Sequence, residues 1–161
     1  MADSAAAKDM ALGDAEKVAG KYLTFSLQGE EFGLQILRVR EIIGMVDITP
    51  VPNTPPYIRG VINLRGKVIP VVCLRLKFGL PFQDPDERTC IIVVEAKRQA
   101  DTILMGVVVD RVNEVSDVKA GAIEPPPSFG ISVDTSYLVG MAKVSEKVKM
   151  LLDIDRVLVS E

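Results

Sequence analysis

Residues 57–80 read Tyr-Ile-Arg-Gly-Val-Ile-Asn-Leu-Arg-Gly-Lys-Val-Ile-Pro-Val-Val-Cys-Leu-Arg-Leu-Lys-Phe-Gly-Leu, and this stretch decides the fold class. Two β-branched runs, residues 61–64 and 68–74, flank Arg65-Gly66-Lys67, where Gly66 supplies the positive φ that a tight hairpin turn requires. No acidic residue stands between Asp47 and Asp84, whereas Arg59, Arg65, Lys67, Arg75 and Lys77 all fall there. On paired strands such side chains alternate outward, and a solvated basic face is the simplest reading of them.

The same pattern extends in both directions. Leu23, Phe25 and Leu27 alternate with Thr24 and Ser26 as in a half-buried strand, Gln28-Gly29-Glu30 turns the chain, and Phe32, Leu34 and Ile36 alternate again. Residues 35–45 are ambiguous: Ile36, Val39 and Ile43 have helical spacing, while Leu37, Val39 and Glu41 share one strand face. A bend near Arg38 followed by a strand to about Ile48 is expected. Pro50, Pro52, Pro55 and Pro56 then forbid regular structure. Beyond a loop at residues 81–87, residues 89–95 and 102–109 form another hairpin around a polar tip, and Val112 and Val115 continue the alternation. Pro125-Pro126-Pro127 marks a second long connection. Residues 137–144 and 147–152 pair across Ser145-Glu146, and Asp153 caps a short final helix through Val159.

Roughly ten short strands with little helix predict an all-β sandwich or barrel. No single run holds enough aliphatics for one wide sheet, and the two Pro-rich breaks suit two small barrels sharing a seam. The 161 residues are 48% hydrophobic but only 5% aromatic, without Trp, so aliphatic side chains must fill the core. Residues 1–20 are Ala-rich, with Asp3, Asp9 and Asp14 and no hydrophobic centre; they read as a flexible tail rather than a signal peptide. Two cysteines without an export signal point to a reducing cytoplasm.

Catalytic chemistry is not expected. The chain has no histidine, which removes the usual general base and the commonest metal ligand. Cys73 and Cys90 stand alone within apolar runs, so no metal and no cofactor are expected. Gly60 to Lys67 imitates a phosphate loop, but its spacing is wrong and it lies on a strand-turn-strand element. Asp110 is expected to pair with Arg111 or a backbone amide, and Glu30-Glu31 to be solvated turn charge.

Five segments, one of them within the opening stretch, carry a resemblance. They are Glu-Glu-Phe-Gly-Leu-Gln-Ile-Leu-Arg-Val-Arg-Glu-Ile (residues 30–42), Val-Pro-Asn-Thr-Pro-Pro-Tyr (51–57), Ile-Arg-Gly-Val-Ile-Asn-Leu-Arg-Gly (58–66), Gly-Val-Val-Val-Asp-Arg-Val (106–112) and Ser-Tyr-Leu-Val-Gly-Met (136–141). In this order they resemble the CheW family of chemotaxis coupling proteins, over about residues 21–160. The resemblance implies a CheW-like domain at residues 21–161, built from two five-stranded SH3-like β-barrels around a shared hydrophobic core. It implies a non-catalytic adaptor in the cytoplasm, held at the inner face of the membrane through receptor arrays. The implied partners are the cytoplasmic tip of a methyl-accepting chemoreceptor and the regulatory domain of the histidine kinase CheA. One departure stands out: Val72-Cys73-Leu74-Arg75 occurs where the family commonly has Val-Asp-Leu-Arg, which puts in doubt any role of that acid, such as pairing with Arg75.

For receptor binding the resemblance points to Ile36, Val39, Glu41, Arg65 and Val115; for kinase binding, to Ile48 and Phe129. Each has an ordinary alternative. Glu41 and Arg65 can be a surface ion pair worth about 0–1 kcal/mol, Val115 and Ile48 the edge of a core, and Phe129 a ring folded back onto it. Two other functions stay open on sequence alone. One is a scaffold of a related chemosensory pathway. The other is a small-barrel nucleic-acid binder using the five cations of residues 59–77, although only Tyr57 and Phe78 lie near for base stacking and the net charge is −3.

Overall fold

The computed structural model describes residues 17–126, 136–144 and 146–158. Among them are eleven strands in two sheets. The middle of the chain makes one sheet: β3 (Val39–Gly44), β4 (Ile58–Leu64), β5 (Lys67–Cys73), β6 (Cys90–Arg98) and β7 (Asp101–Val109), in the order β3-β6-β7-β5-β4. Both ends of the chain make the other: β1 (Gly20–Leu27), β2 (Glu30–Gln35), β8 (Arg111–Val118), β9 (Ile123–Glu124), β10 (Leu138–Val144) and β11 (Lys147–Leu152), in the order β8-β1-β2-β11-β10-β9. We call them the middle barrel and the terminal barrel. Two short helices, α1 (Leu74–Lys77) and α2 (Ile154–Leu158), follow β5 and β11.

Turn chemistry explains the hairpins. Arg65 and Gly66 take φ of 51° and 89°, which makes the β4–β5 loop a two-residue turn with both central residues left-handed. Asn63 Oδ1 accepts the Gly66 amide at 2.8 Å and fixes it. Gln28 and Gly29, at 55° and 80°, do the same between β1 and β2. Asp153 caps α2, its Oδ1 accepting the amides of Asp155 and Arg156 at 3.1 and 3.2 Å. The bend predicted near Arg38 is a single 3-10 turn, Ile36–Arg38. Strand β3 stops at Gly44, short of Ile48; beyond it Thr49 makes only a two-bond bridge to Val61, at 2.8 and 2.9 Å. That bridge links the β3 side of the middle sheet to β4 and curls the sheet on itself. Gly60 makes the approach possible, for a Cβ there would lie 2.0 Å from the Thr49 carbonyl oxygen.

The two barrels repeat one plan. β4 pairs with β5 through Ile58–Val72 and Gly60–Val71, with an irregularity between; β10 pairs with β11 through Leu138–Leu152 and Gly140–Leu151, with the same irregularity. The Tyr57 carbonyl accepts the Cys73 amide at 2.8 Å, and the Tyr137 carbonyl accepts the Asp153 amide at the same distance. Among the described residues each barrel has one parallel pair, β5–β7 or β11–β2, and within it a glycine stands opposite an aliphatic residue, Gly106 opposite Val71 or Gly33 opposite Leu151.

Among the described residues three apolar clusters form the core. One lies in the middle barrel (Ile62, Ile69, Val71, Ile91, Val93) and one in the terminal barrel (Tyr22, Val118, Ile123, Ala142, Leu151). The largest joins the barrels, with Leu23, Phe25, Leu27 and Leu34 from one side and Val72, Ile92, Val94 and Val107 from the other. Strand β1 is therefore not half-buried: Tyr22 faces its own barrel, Leu23 and Phe25 face the shared core, and Thr24 is fully enclosed. The Thr24 hydroxyl donates to the Glu114 carbonyl at 2.9 Å and accepts the Glu114 amide at 3.2 Å, which is how a polar residue fits there. Val18 and Ala19, just before β1, pack against the terminal barrel's core.

Candidate protein-docking surfaces

Two side chains anticipated as a unit do meet. Arg65, on the β4–β5 turn, and Glu41, on β3, form a two-pronged ion pair, one arm of which measures 3.0 Å. The Arg65 hydrogen bonds hold the Glu41 carboxyl below its ordinary range. Together with Arg40, Leu64, Lys67 and Leu104 the pair lines an open hollow at one end of the middle barrel. Ile36 and Val39 lie at the 3-10 turn and the start of β3, half-buried against the shared core. Leu37, between them and not singled out from sequence, is 88% exposed. Val115 is on the other barrel, on β8, half-exposed and in register with Leu23. The structure thus joins Glu41 to Arg65, places Ile36 and Val39 together at the seam, and sets Val115 apart on the second barrel.

Ile48 follows β3 and packs half-buried against the middle barrel's core. It lines a cleft of about 160 Å³, open to solvent, with Met45, Cys73, Val108 and the exposed loop that carries Phe82, Asp84 and Asp86. Phe129 lies outside the described residues.

The five cations of residues 59–77 do not form one free basic face. Arg75 is buried and donates to Asp110 through two 2.7 Å bonds, and to the Pro81 carbonyl at 3.0 Å. Burial pushes the Asp110 carboxyl up, but the Arg75 bonds, the Gln28 amide and the Arg75 charge outweigh it and hold the group below its usual value. Asp110 thus accepts a backbone amide as expected, that of Gln28 at 2.9 Å, while its cationic partner is Arg75 and not Arg111, despite Cys73 standing where the resemblance leads one to expect Asp. Arg59 lies over the Phe82 ring at 4.7 Å, and Lys77 over Tyr57 at 4.1 Å and Tyr137 at 5.9 Å. Lys77 thus sits between the two tyrosines that correspond in the two barrels. Glu31, read as solvated turn charge, instead pairs with buried Lys149 at 3.3 Å.

Arg38 mirrors Arg75. It binds Asp155 of α2 with both guanidinium arms and the Glu95 carbonyl at 3.0 Å, tying the strap between the barrels to both of them. Burial pushes Asp155 up, but Arg38, the Lys97 amide and their charges hold it below its usual value. Among the described residues no group of three potential metal ligands comes together, and no helix is long and apolar enough to cross a membrane.

Comparison with known proteins shows the family. A sequence model described as the CheW-like domain matches residues 21–161. A chemotaxis protein CheW of Klebsiella aerogenes is 39% identical over 91% of this chain and 86% of its own length. The protein of that name from Rhizobium meliloti is 33% identical over 97% of this chain and 95% of its own. The crystal structure of the scaffolding protein TtCheW from Thermoanaerobacter tengcongensis superposes with a TM-score of 0.77 at 35% identity, covering 89% of this chain and 96% of that one.

Proposed function

The chain belongs to the CheW-like domain family, and from that premise we propose that it is a non-catalytic chemotaxis adaptor, coupling transmembrane chemoreceptors to the histidine kinase CheA in the cytoplasm, at the inner face of the membrane. The observation that carries the reading is the pair of chemically different surfaces on one barrel. One is a charged hollow built on Glu41 and Arg65; the other is an apolar cleft beside Ile48. The first, with Ile36, Val39 and, from the other barrel, Val115, takes the receptor tip. Ile48 meets the kinase's regulatory domain, and Phe129 belongs to a second kinase contact.

The mechanism needs no chemistry on the adaptor. A shared core and two arginine ties keep the barrels in one orientation, so a receptor on one surface and a kinase on another are held at a set angle. Receptor state reaches the kinase only as a difference in interface free energy, because a bound partner shifts an equilibrium by its differential affinity alone.

Reconstitution with receptor-bearing membranes and the cognate kinase tests the reading. The protein should raise receptor-controlled autophosphorylation, and Arg65→Ala should lower receptor coupling much more than kinase binding. Kinase activity indifferent to the protein, or a salt-dependent affinity for single-stranded nucleic acid in place of kinase capture, would count against it.

A further inference from the structure

Where α1 meets the terminal barrel lies a third hollow, sharing no lining residue with those built on Arg65 and Ile48. It is open, measures about 450 Å³, and is walled by Phe32, Phe78, Leu80, Tyr137 and Leu138; Lys77 is the one charge in its lining. Its rings are set against one another. The Phe78 centroid stands 5.8 Å from that of Phe32 and 5.7 Å from that of Tyr137. The hollow is thus formed before anything enters it, and little side-chain ordering is left for a partner to impose.

Beside it an apolar strip runs out along β11. Leu152, Met150 and Val148 alternate along the strand and share one face, and their exposure rises from 3% at Leu152 to 50% at Val148. The strip is about 13 Å long, the length of roughly nine helical residues.

The charge of the hollow is not cancelled. Lys77 Nζ lies 4.1 Å from the Tyr57 ring centre and 5.9 Å from that of Tyr137, contacts that hold the ammonium without neutralising it. The acids next to the lining residues are engaged elsewhere: Glu31 with Lys147 and Lys149, Asp153 with Arg156 and the α2 amides. Among the described residues no carboxylate pairs with Lys77.

An apolar hollow with one uncancelled cation favours an apolar partner surface that carries an acid. The strands decide the form of that partner. β2, β11 and β10 are interior to their sheet, so no free edge is offered to an added strand. Contact is left to side chains alone, as a docked helix makes it. We propose that this face is a further docking surface whose occupant is an acidic amphipathic helix of a partner protein. Its aliphatic residues, spaced one turn apart, fill the hollow and lie along the β11 strip, and an aspartate or glutamate meets Lys77. The residues involved are distinct from those assigned to receptor and kinase, so occupancy of this face is independent of either assignment.

The test uses the full chain with methyl-labelled leucine and valine. The probe is a designed helical peptide of about twelve residues, with leucines one turn apart and glutamates beside them. A twin peptide carries lysine at every glutamate. The glutamate peptide should shift the methyl signals of Leu80, Leu138, Val148 and Leu152. At low salt it should bind roughly tenfold or more tighter than its twin, although the chain's net charge of −3 favours the twin. Lys77→Gln should remove this preference, and Lys77→Arg, which keeps the charge, should restore it. Val148→Ser, at an exposed position, should weaken the glutamate peptide and leave the melting temperature in place. Equal binding of the two peptides, or methyl signals that neither peptide moves, overturns the proposal. So does movement of the same signals without peptide: with protein concentration, which makes a second copy the occupant, or on deletion of residues 1–16, which makes the chain's own leading segment the occupant.

Discussion

The middle barrel and the terminal barrel share the spatial order of five strands, a glycine within the parallel pair and a tyrosine before the bulged strand, yet they put different chemistry at equivalent places. In the middle barrel the register sets Ile69 and Leu104 where the terminal barrel has Lys149 and Glu31. Ile69 is 1% exposed and belongs to an apolar cluster; Lys149 is 5% exposed and pairs with Glu31 and Glu114. The seam is likewise tied by two ion pairs of opposite polarity: α1 contributes the cation Arg75, and α2 contributes the anion Asp155. A repeated scaffold with unlike surfaces gives a rigid body distinct faces, as a bridge between two partners requires.

The harshest way to break the comparison is at the closure of the middle barrel. Gly60→Ala would drive a Cβ into the Thr49 carbonyl from a backbone at φ +136°. A loss of roughly 3 kcal/mol or more is expected in chemical denaturation. A parent-like midpoint would show that the Thr49 bridge does not hold the barrel.

Next come the ties across the seam. Arg75→Met leaves Asp110 without its partner and should cost about 3 kcal/mol, by analogy with other buried pairs. Arg38→Met should cost less, roughly 1–2 kcal/mol, because Arg38 and Asp155 are more exposed than Arg75. Equal losses would erase the distinction between the ties. Both acids are held below their ordinary range, so each contributes stability that is present above the unfolded value near pH 4 and lost as pH falls through the folded value. With no histidine in the chain, the melting temperature should stay flat between about pH 5 and 8 and drop below about pH 4. Asp110→Asn should flatten that acid limb.

Grafting sharpens the comparison in the other direction. Lys149→Ile with Glu31→Leu copies the middle barrel's pair into the terminal barrel. Replacing an enclosed ion pair with aliphatics should be neutral or stabilise by about 1–2 kcal/mol, read from denaturant midpoints. A strong destabilisation would mean the charged pair does structural work that its counterpart does not need.

The smallest effect on stability belongs to Glu41 and Arg65. Either single change should leave the denaturation midpoint close to the parent's, since the pair is solvent-exposed and screened. Receptor coupling should fall sharply, and the charge swap Glu41→Arg with Arg65→Glu should restore part of it. Purely additive losses in coupling would separate the two residues' roles.

The hairpins were legible because their turn residues and alternation are local. Residues 58–64 and 67–73 pair as the spacing around Arg65-Gly66 predicts, and the β10–β11 turn falls at its expected place. What stayed hidden was non-local. Nothing beside β1 in sequence shows that β8 will cover its polar face, so Thr24 read as exposed. Asp110 found Arg75 across the fold rather than Arg111 beside it. Glu41 and Arg65 emerge as a pair only through resemblance, and the cleft around Phe82 is not visible in the sequence because its walls come from five separate segments. A further signal does lie in the sequence: Tyr57-Ile-Arg-Gly and Tyr137-Leu-Val-Gly head two strand pairs of nearly equal length, each followed by a short helix.

The division of strands also sets an order of events during synthesis. The middle barrel is one unbroken stretch of chain and can close as soon as β7 is made. Strands β1 and β2 precede that stretch in the chain, but they pair with β8 and β11, which follow it. At usual translation rates this is a wait on the order of ten seconds, during which Phe25, Phe32 and Leu34 have no permanent cover. The finished middle barrel, presenting Val72, Ile92 and Val107, is the surface best suited to shelter them in the interval, so the shared core would begin as an escort for the first hairpin.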